Sequence, residues 1–253
     1  MALVALRAMV KLYANIGVGH ENKVSVLEAR LIAAAQCNAD AVVITKSTPS
    51  LLIPHEKKYL SIPSRWGHLP YLEVAKRSEL DADSAEHITA LAKRIGIPII
   101  WSVTDSQSAQ FVKEHCDAKT VKLHYGAINI YELTRYCKDN FSEVIYSHQH
   151  LEEVDVLYAN KAKVTVYYTT DAFPPSTEDL ALSTIDTLQK QKYIVGYESR
   201  DAGIFPSVAV AYKSVDYIEK YLGDEDSDNP AILTPEQFYD YFKNLEILEV
   251  ANG

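Results

Sequence analysis

Three short runs gather side chains capable of acid–base, nucleophilic or anion-binding chemistry. Lys122-Leu-His124-Tyr125 places an amine, an imidazole and a phenol within four residues. An amine withdrawn from water beside other cations suits phosphate or carboxylate binding, or Schiff-base formation. Ser147-His148-Gln-His150 sets two imidazoles two residues apart, on one face of an extended segment. Glu198-Ser199-Arg200-Asp201 mixes two carboxylates with a guanidinium, as an ion-pair cluster or an anion clamp would. Further polar groups are Asn15, His20 and Glu21, Lys46, Ser102 and Asp105, Thr169, Thr170 and Asp171, and Lys220 with Tyr221. Imidazole and carboxylate ligands suit zinc, manganese or iron. A metal site built from His20, His124, His148 and His150 with Glu198 or Asp171 is therefore one reading. No short ligand spacing accompanies these histidines, so hydrogen-bonding imidazoles are the plainer one.

The elements that carry these groups repeat regularly. Strand-like runs lie at Lys11–Gly17, Ala39–Thr45, Pro98–Val103, Thr120–His124, Glu143–Ser147, Val164–Thr169, Tyr193–Tyr197 and Val215–Glu219. Helical patterns alternate with them. Lys23–Gln36 carries Val24, Leu27, Leu31 and Ala34 at helical spacing, and Asp83–Ile95 ends before Gly96. Thr177–Gln191 opens on a cap residue and two acids, and Thr234-Pro235 opens a last helix. Strands alternating with helices must pair in parallel, because each crossover needs a helix. Eight such units predict an α/β fold, a single-domain (β/α)8 TIM barrel over residues 1–253. In that fold the residues following each strand converge on one face, which carries the chemistry. Residues 46–81 break the rhythm, with Pro49, Pro54, Pro63, Gly67 and Pro70 marking a long loop insertion. Loops of that length are more often functional than neutral. Lys57, Lys58, Arg65 and His68 make it locally basic, as a lid over an anionic ligand or a solubilising surface would be.

Composition narrows the partners. The 253 residues carry 25 Lys+Arg against 34 Asp+Glu, a net charge of −9, and 47% of them are apolar. That share is too high for disorder, and the acidic balance argues against broad contact with nucleic acid or anionic lipid. No apolar run reaches the roughly 18–20 residues of a membrane span. Met1–Val10 is apolar but interrupted by Arg7 and lacks a signal-peptide layout. Cys37, Cys116 and Cys137 form no metal-ligand spacing and read as reduced, buried thiols of a cytoplasmic protein. A small-molecule ligand is the expected partner. The 17 tyrosines read mostly as core and interface packing; Tyr125, Tyr168, Tyr197 and Tyr221 lie near strand ends, where stacking on a ring-shaped ligand is the alternative.

Several segments also resemble a known family. Tyr13-Ala-Asn-Ile-Gly-Val-Gly-His20 is similar to the AEIGxNH opening of the N-acetylneuraminate (sialic acid) synthases. Asn38-Ala-Asp-Ala-Val-Val-Ile44 looks like their GADAVKF strand, and Lys122-Leu-His-Tyr125 lies where they have KIxS. Tyr71-Leu-Glu followed by Ser78-Glu-Leu resembles the approach to their third unit. Val195–Ile204 follows their (I/V)GxSDHxxGI, Tyr217–Tyr221 follows xIEKH, and Asp228–Glu236 is similar to their closing segment. The resemblance runs along nearly the whole chain in order and spacing.

It implies a phosphoenolpyruvate-dependent condensation with an N-acetylated mannosamine-type sugar in carbohydrate biosynthesis, assisted by a divalent metal such as manganese. On that pattern Lys122 holds phosphoenolpyruvate, Ser102 and Tyr125 add hydrogen bonds, and His20 positions the sugar. Asn15, Asp105, Thr170, Asp171 and Arg200 complete the substrate set, and Glu198 joins Lys122 and His20 as a catalytic candidate. The family's two metal histidines fall on Arg200 and Tyr221, its first-strand acid on Asn15, and its SDH serine on Glu198. Its strand-2 lysine falls on Val43, its acid after strand 4 on Ala127, and the asparagine before the loop histidine on Gly19. No metal is therefore expected at the family site, and His124 with His148 would anchor a relocated one. The cofactor is left unassigned. Family members also carry a C-terminal antifreeze-like domain, for which the 253 residues leave no room. The alternatives are a catalytically inactive sugar- or anion-binding homologue, or a changed reaction on the same barrel. A homodimer and association with an active synthase are the protein partners that the resemblance suggests.

Overall fold

The structure, a computed structural model, describes residues 10–17, 19–127, 130–149, 162–224 and 228–252. Eight parallel strands form a closed barrel: β1 Lys11–Asn15, β2 Ala41–Lys46, β3 Ile99–Val103, β4 Thr120–Leu123, β5 Glu143–His148, β6 Lys163–Tyr168, β7 Ile194–Ser199 and β8 Tyr217–Leu222. Each pairs with the next, and β1 closes onto β8 with Lys11 opposite Tyr217 and Asn15 opposite Tyr221. All eight stand where the hydrophobic pattern placed them, their ends shifted by no more than three residues. A two-residue strand, Ile232–Leu233, extends the sheet beside the end of β8.

Helices pack outside this wall. Helix α1, Val24–Gln36, buries Leu27, Leu31 and Ala34. Helix α2, Ala82–Ile95, starts where the Asp81 carboxylate accepts the Ser84 amide N–H, and stops at Gly96, whose φ of 79° suits glycine. Then follow α3 Ser106–His115, α4 Tyr131–Asn140, α5 Ser183–Lys190, α6 Phe205–Ala211 and α7 Pro235–Asn252. Thr234 and Gln237 exchange side-chain and backbone bonds at the head of α7, a capping box.

Two expectations are corrected. Residues 177–191 are not one helix: a 3-10 turn at Thr177–Leu180 is separated from α5 by Ala181, whose φ is 39°. The Leu180 carbonyl is taken by the Tyr168 hydroxyl at 2.8 Å, which diverts it from a continuing helical ladder. The 46–81 insertion is not an irregular loop either. It contains a short helix at Pro49–Leu52, an antiparallel hairpin of Ser61–Ser64 with Gly67–Pro70, and a helix at Tyr71–Ser78. Pro49 and Pro70 stand at the starts of its helices, and Pro63 lies within the first hairpin strand.

Side-chain alternation divides the barrel into two cores. Outward residues such as Leu12, Ile44, Trp101, Val144, Tyr168 and Tyr197 pack under the helices. The interior holds Ala41, Val43, Ile100, Ile145, Tyr167 and Tyr217, with Tyr13 and Ile194 packed against them. The Tyr217 ring lies 5.3 Å from Tyr13 and 6.1 Å from Tyr167. A Cβ on Gly196 would fall 2.3 Å from the Tyr167 ring, so only glycine there lets that ring cross the interior. These aromatics floor the polar mouth above them. Cys37, Cys116 and Cys137 are buried and unpaired, and among the described residues no helix is long and apolar enough to cross a membrane.

Candidate functional site at the barrel mouth

Glu198 and Glu219 are register partners on β7 and β8, so the fold sets two carboxylates side by side in the interior. Lys122 reaches them from β4 across the barrel, its Nζ 2.8 Å from Glu198 and 2.7 Å from Glu219. None of the three side chains is more than 2% exposed. Two adjacent carboxylates at this depth repel and lose their hydration, so a cation between them is a condition of burying both. Asn15 Nδ2 donates to the same Glu219 oxygen at 2.8 Å, while Glu219 Oε2 has no hydrogen-bond partner.

Glu198 collects more donors. Arg200 Nε donates to it at 3.0 Å and the Tyr221 hydroxyl at 2.9 Å, and the Ser147 hydroxyl bonds its other oxygen. Arg200 is fixed separately, by Nη1 bonds to the Thr170 and Asp171 carbonyls at 3.2 and 3.3 Å and by stacking 4.9 Å from the Tyr125 ring. Burial works against ionising Glu198, but Lys122 and Arg200 outweigh it and hold the carboxyl well below its usual range. Glu219 moves the other way, raised by burial and by the charge of Glu198 against the pull of Lys122. Beside them His124 is pushed down to about 4 by burial, with Lys122 and Arg200 adding to the effect and Glu198 opposing it. Its imidazole is thus neutral at pH 7, with Nδ1 3.1 Å from the Tyr125 carbonyl.

A second group stands apart at the β2 side. Lys46 pairs with Glu79 at 3.0 Å and bonds the Leu80 carbonyl at 2.9 Å. Asp105 accepts the Thr48 amide and hydroxyl at 2.9 and 2.8 Å, the Thr104 hydroxyl at 2.8 Å and the α3 amide of Ser108 at 2.8 Å. Asp105 therefore caps a helix and anchors the insertion, which leaves its oxygens committed. His20 is buried here, its charged neighbours being Glu79, Arg30, Lys46 and Glu21, and burial lowers its pKa. Its Nδ1 accepts the Asn22 amide at 3.1 Å.

The structure thus brings Lys122, Glu198, Arg200, Asn15, Tyr125 and His124 together and leaves His20 and Asp105 with the insertion. Thr170 and Asp171 contribute backbone carbonyls to Arg200. Ser102, opposite Lys122 in the register, is buried with its hydroxyl unbonded. Tyr168 and Tyr197 face outward and stack on each other at 6.3 Å, so they are wall residues rather than sugar platforms. Lys57 and Lys58 stay on the surface of the insertion, whereas Arg65 bonds the Glu21 carbonyl at 2.8 Å. Glu219 was not among the candidates. Its signal was the alternation of Tyr217, Glu219 and Tyr221, which puts all three on the inner face.

The residues present do not fit a divalent metal at the family position. The Arg200 guanidinium has no lone pair to give, and the Tyr221 hydroxyl is spent on Glu198. The relocated site is not assembled either: among the described residues no three His, Cys, Asp or Glu side chains are placed to hold a metal ion. His148 ends β5 as a buried residue, and His150 lies outside the described residues.

Comparison with known proteins agrees with the barrel. The N-acetylneuraminate-9-phosphate synthase of Mus musculus is 25% identical over 256 residues, which cover 95% of this chain and 70% of the mouse protein. The N-acetylneuraminic acid synthetase of Leptospira borgpetersenii superposes with a TM-score of 0.85 at 17% identity, over 97% of this chain and 85% of that one. A spore coat polysaccharide biosynthesis protein of Bacillus subtilis gives 0.77 at 18% identity, over 96% and 69%. At those identities the two structures speak for the fold alone. The profile of the NeuB family matches residues 31–253, and the chain belongs to that family.

Proposed function

We propose that this protein is a sialic acid synthase-like member of carbohydrate biosynthesis that binds a small sugar-type ligand at the barrel mouth without the metal-assisted, phosphoenolpyruvate-consuming condensation. The observation that carries this reading is the commitment of the mouth's donors. Lys122, Arg200, Tyr221 and Ser147 all point at the Glu198 carboxylate rather than at open space. A phosphate or carboxylate entering there would meet a fixed negative charge and donors already in use. The ligand chemistry supports the same reading: among the described residues no three metal-ligating side chains stand together, so those at the mouth are not set to hold a Lewis acid against a sugar aldehyde. A sugar would find instead the neutral His124 imidazole and the rim around the Tyr125 ring, a polar and aromatic surface suited to hydroxyl groups.

The family condensation is the second reading, favoured by the two cations Lys122 and Arg200 at one mouth. Phosphate release from phosphoenolpyruvate, with a panel of N-acetyl sugars and with or without manganese, separates the two. The expected result is no release above the protein-free control. Sugar-dependent release under either condition would replace the first reading with the second.

A further inference from the structure

The donors around Glu198 do not depend on it for their positions. Lys122 is held by Glu219 at 2.7 Å, and Arg200 by two backbone carbonyls and the Tyr125 ring. The Tyr221 ring rests on Phe173 at 4.5 Å, and Ser147 sits within β5 in register with Tyr167 of β6. An ammonium, a guanidinium and two hydroxyls, from four separate segments and each anchored elsewhere, therefore surround one carboxylate that is 2% exposed. That is the composition of a preorganised cradle for an oxyanion. The local charge agrees: Lys122 and Arg200 face Glu198 and Glu219, so removing the Glu198 carboxylate leaves one positive charge in excess. The Ser102 hydroxyl, buried, unbonded and in register with Lys122, supplies a further polar group on the same interior face.

We infer that Glu198 is the built-in occupant of an anion-binding cradle, and that the mouth becomes a site for phosphate or a carboxylated phosphate ester once this side chain is shortened. The inference rests on reading the intact mouth as one that does not consume phosphoenolpyruvate, and it adds what closes the site. Glu198 is then a residue that decides ligand class: with it the mouth excludes small anions, and without it the mouth accepts them. Glu198→Ser removes a methylene and a carboxylate and leaves space where the anion would sit. Glu198→Gln removes the charge but keeps the volume, so the cradle stays filled by an amide.

The test is titration of the full chain with inorganic phosphate, and separately with phosphoenolpyruvate, by calorimetry and by thermal unfolding. Wild type is expected to show no saturable phosphate binding and no rise in Tm with phosphate. Glu198→Ser is expected to bind phosphate saturably, at least about tenfold tighter than the weakest binding the wild-type titration would have detected, roughly 1.4 kcal/mol, and to recover Tm as phosphate is added. Glu198→Gln should behave like wild type, and adding Tyr221→Phe to Glu198→Ser should weaken the new binding. Equal phosphate affinity in wild type and Glu198→Ser would overturn the inference. So would a Glu198→Ser chain that cannot be recovered folded even in phosphate buffer, since an external anion should then replace the lost one. Phosphate binding requires no turnover, so activity found in the phosphoenolpyruvate assay would end the earlier reading while this titration still decides the cradle.

Discussion

Two buried lysines lie on opposite sides of one barrel wall. Lys122 points into the interior and is held between two carboxylates contributed by other strands. Lys220 points outward beneath the helices, where it donates to the Ser199 hydroxyl at 2.9 Å and the Asp201 carbonyl at 2.6 Å. Its carboxylate partner, Asp201, is 3.6 Å away and also accepts from the Tyr197 and Ser199 hydroxyls. Burial lowers the pKa of Lys220, with Asp201 opposing. The outward cluster ties β7, β8 and α6 together and ends there. Its inward counterpart gathers groups from several strands at the face where such barrels do chemistry. Strand parity, rather than residue type, assigns each lysine its role, and the consecutive pair Glu219-Lys220 is split between the two.

Removing the inward lysine should have the largest effect. Lys122→Met leaves Glu198 and Glu219 adjacent and without their shared cation, an expected loss of about 3–5 kcal/mol in urea unfolding. Adding Glu219→Gln should return part of that loss, and a cost near zero for Lys122→Met alone would remove the network from the account of stability. The next effect depends on pH. His124 titrates near 4 in the fold against 6.5 for the free side chain, so the unfolded chain binds the extra proton first. Its contribution is complete above about pH 6.5 and is lost as pH falls toward 4, by up to about 3 kcal/mol. His124→Gln should therefore flatten the fall of Tm with pH across that window; an unchanged slope would mean that the imidazole is not held neutral.

A smaller loss, about 2 kcal/mol, is expected for Lys220→Met, because Asp201 keeps two hydroxyl donors. Placed in the Glu198→Ser background, it should leave phosphate affinity unchanged. A loss of binding there would break the division between wall and mouth. The smallest effect belongs to the insertion. Asp105→Ala removes a helix cap and the Thr48 anchor, costing about 1 kcal/mol and speeding proteolytic cleavage within residues 47–80.

What was legible in the sequence follows from range. Period-two alternation and local caps are encoded by neighbouring residues, so the eight strands, α1, α2 and the head of α7 could be read directly. The rule that barrel chemistry follows strand ends placed Asn15, Lys122, Glu198 and Arg200 on one face. Pairing across the interior could not be read, since Lys122 and Glu219 are 97 positions apart and meet only when β1 closes onto β8. The same limit hid the commitment of Asp105 to Thr48, 57 positions away, and so made a helix cap look like a substrate ligand. For Tyr168 and Tyr197 packing and ligand stacking stay open in the sequence, because nearness to a strand end says nothing of which side of the wall a ring faces; both pack in the wall.

Two internal cations and two carboxylates fill the mouth, and the proposed function requires that no metal bind among them. Manganese titration followed by electron paramagnetic resonance, with and without phosphoenolpyruvate, decides whether one does. The expected spectrum is that of the free ion throughout, undiminished by stoichiometric protein. Loss of the free-ion signal in proportion to protein, deepened by phosphoenolpyruvate, would show that a metal binds after all and would contradict the claim.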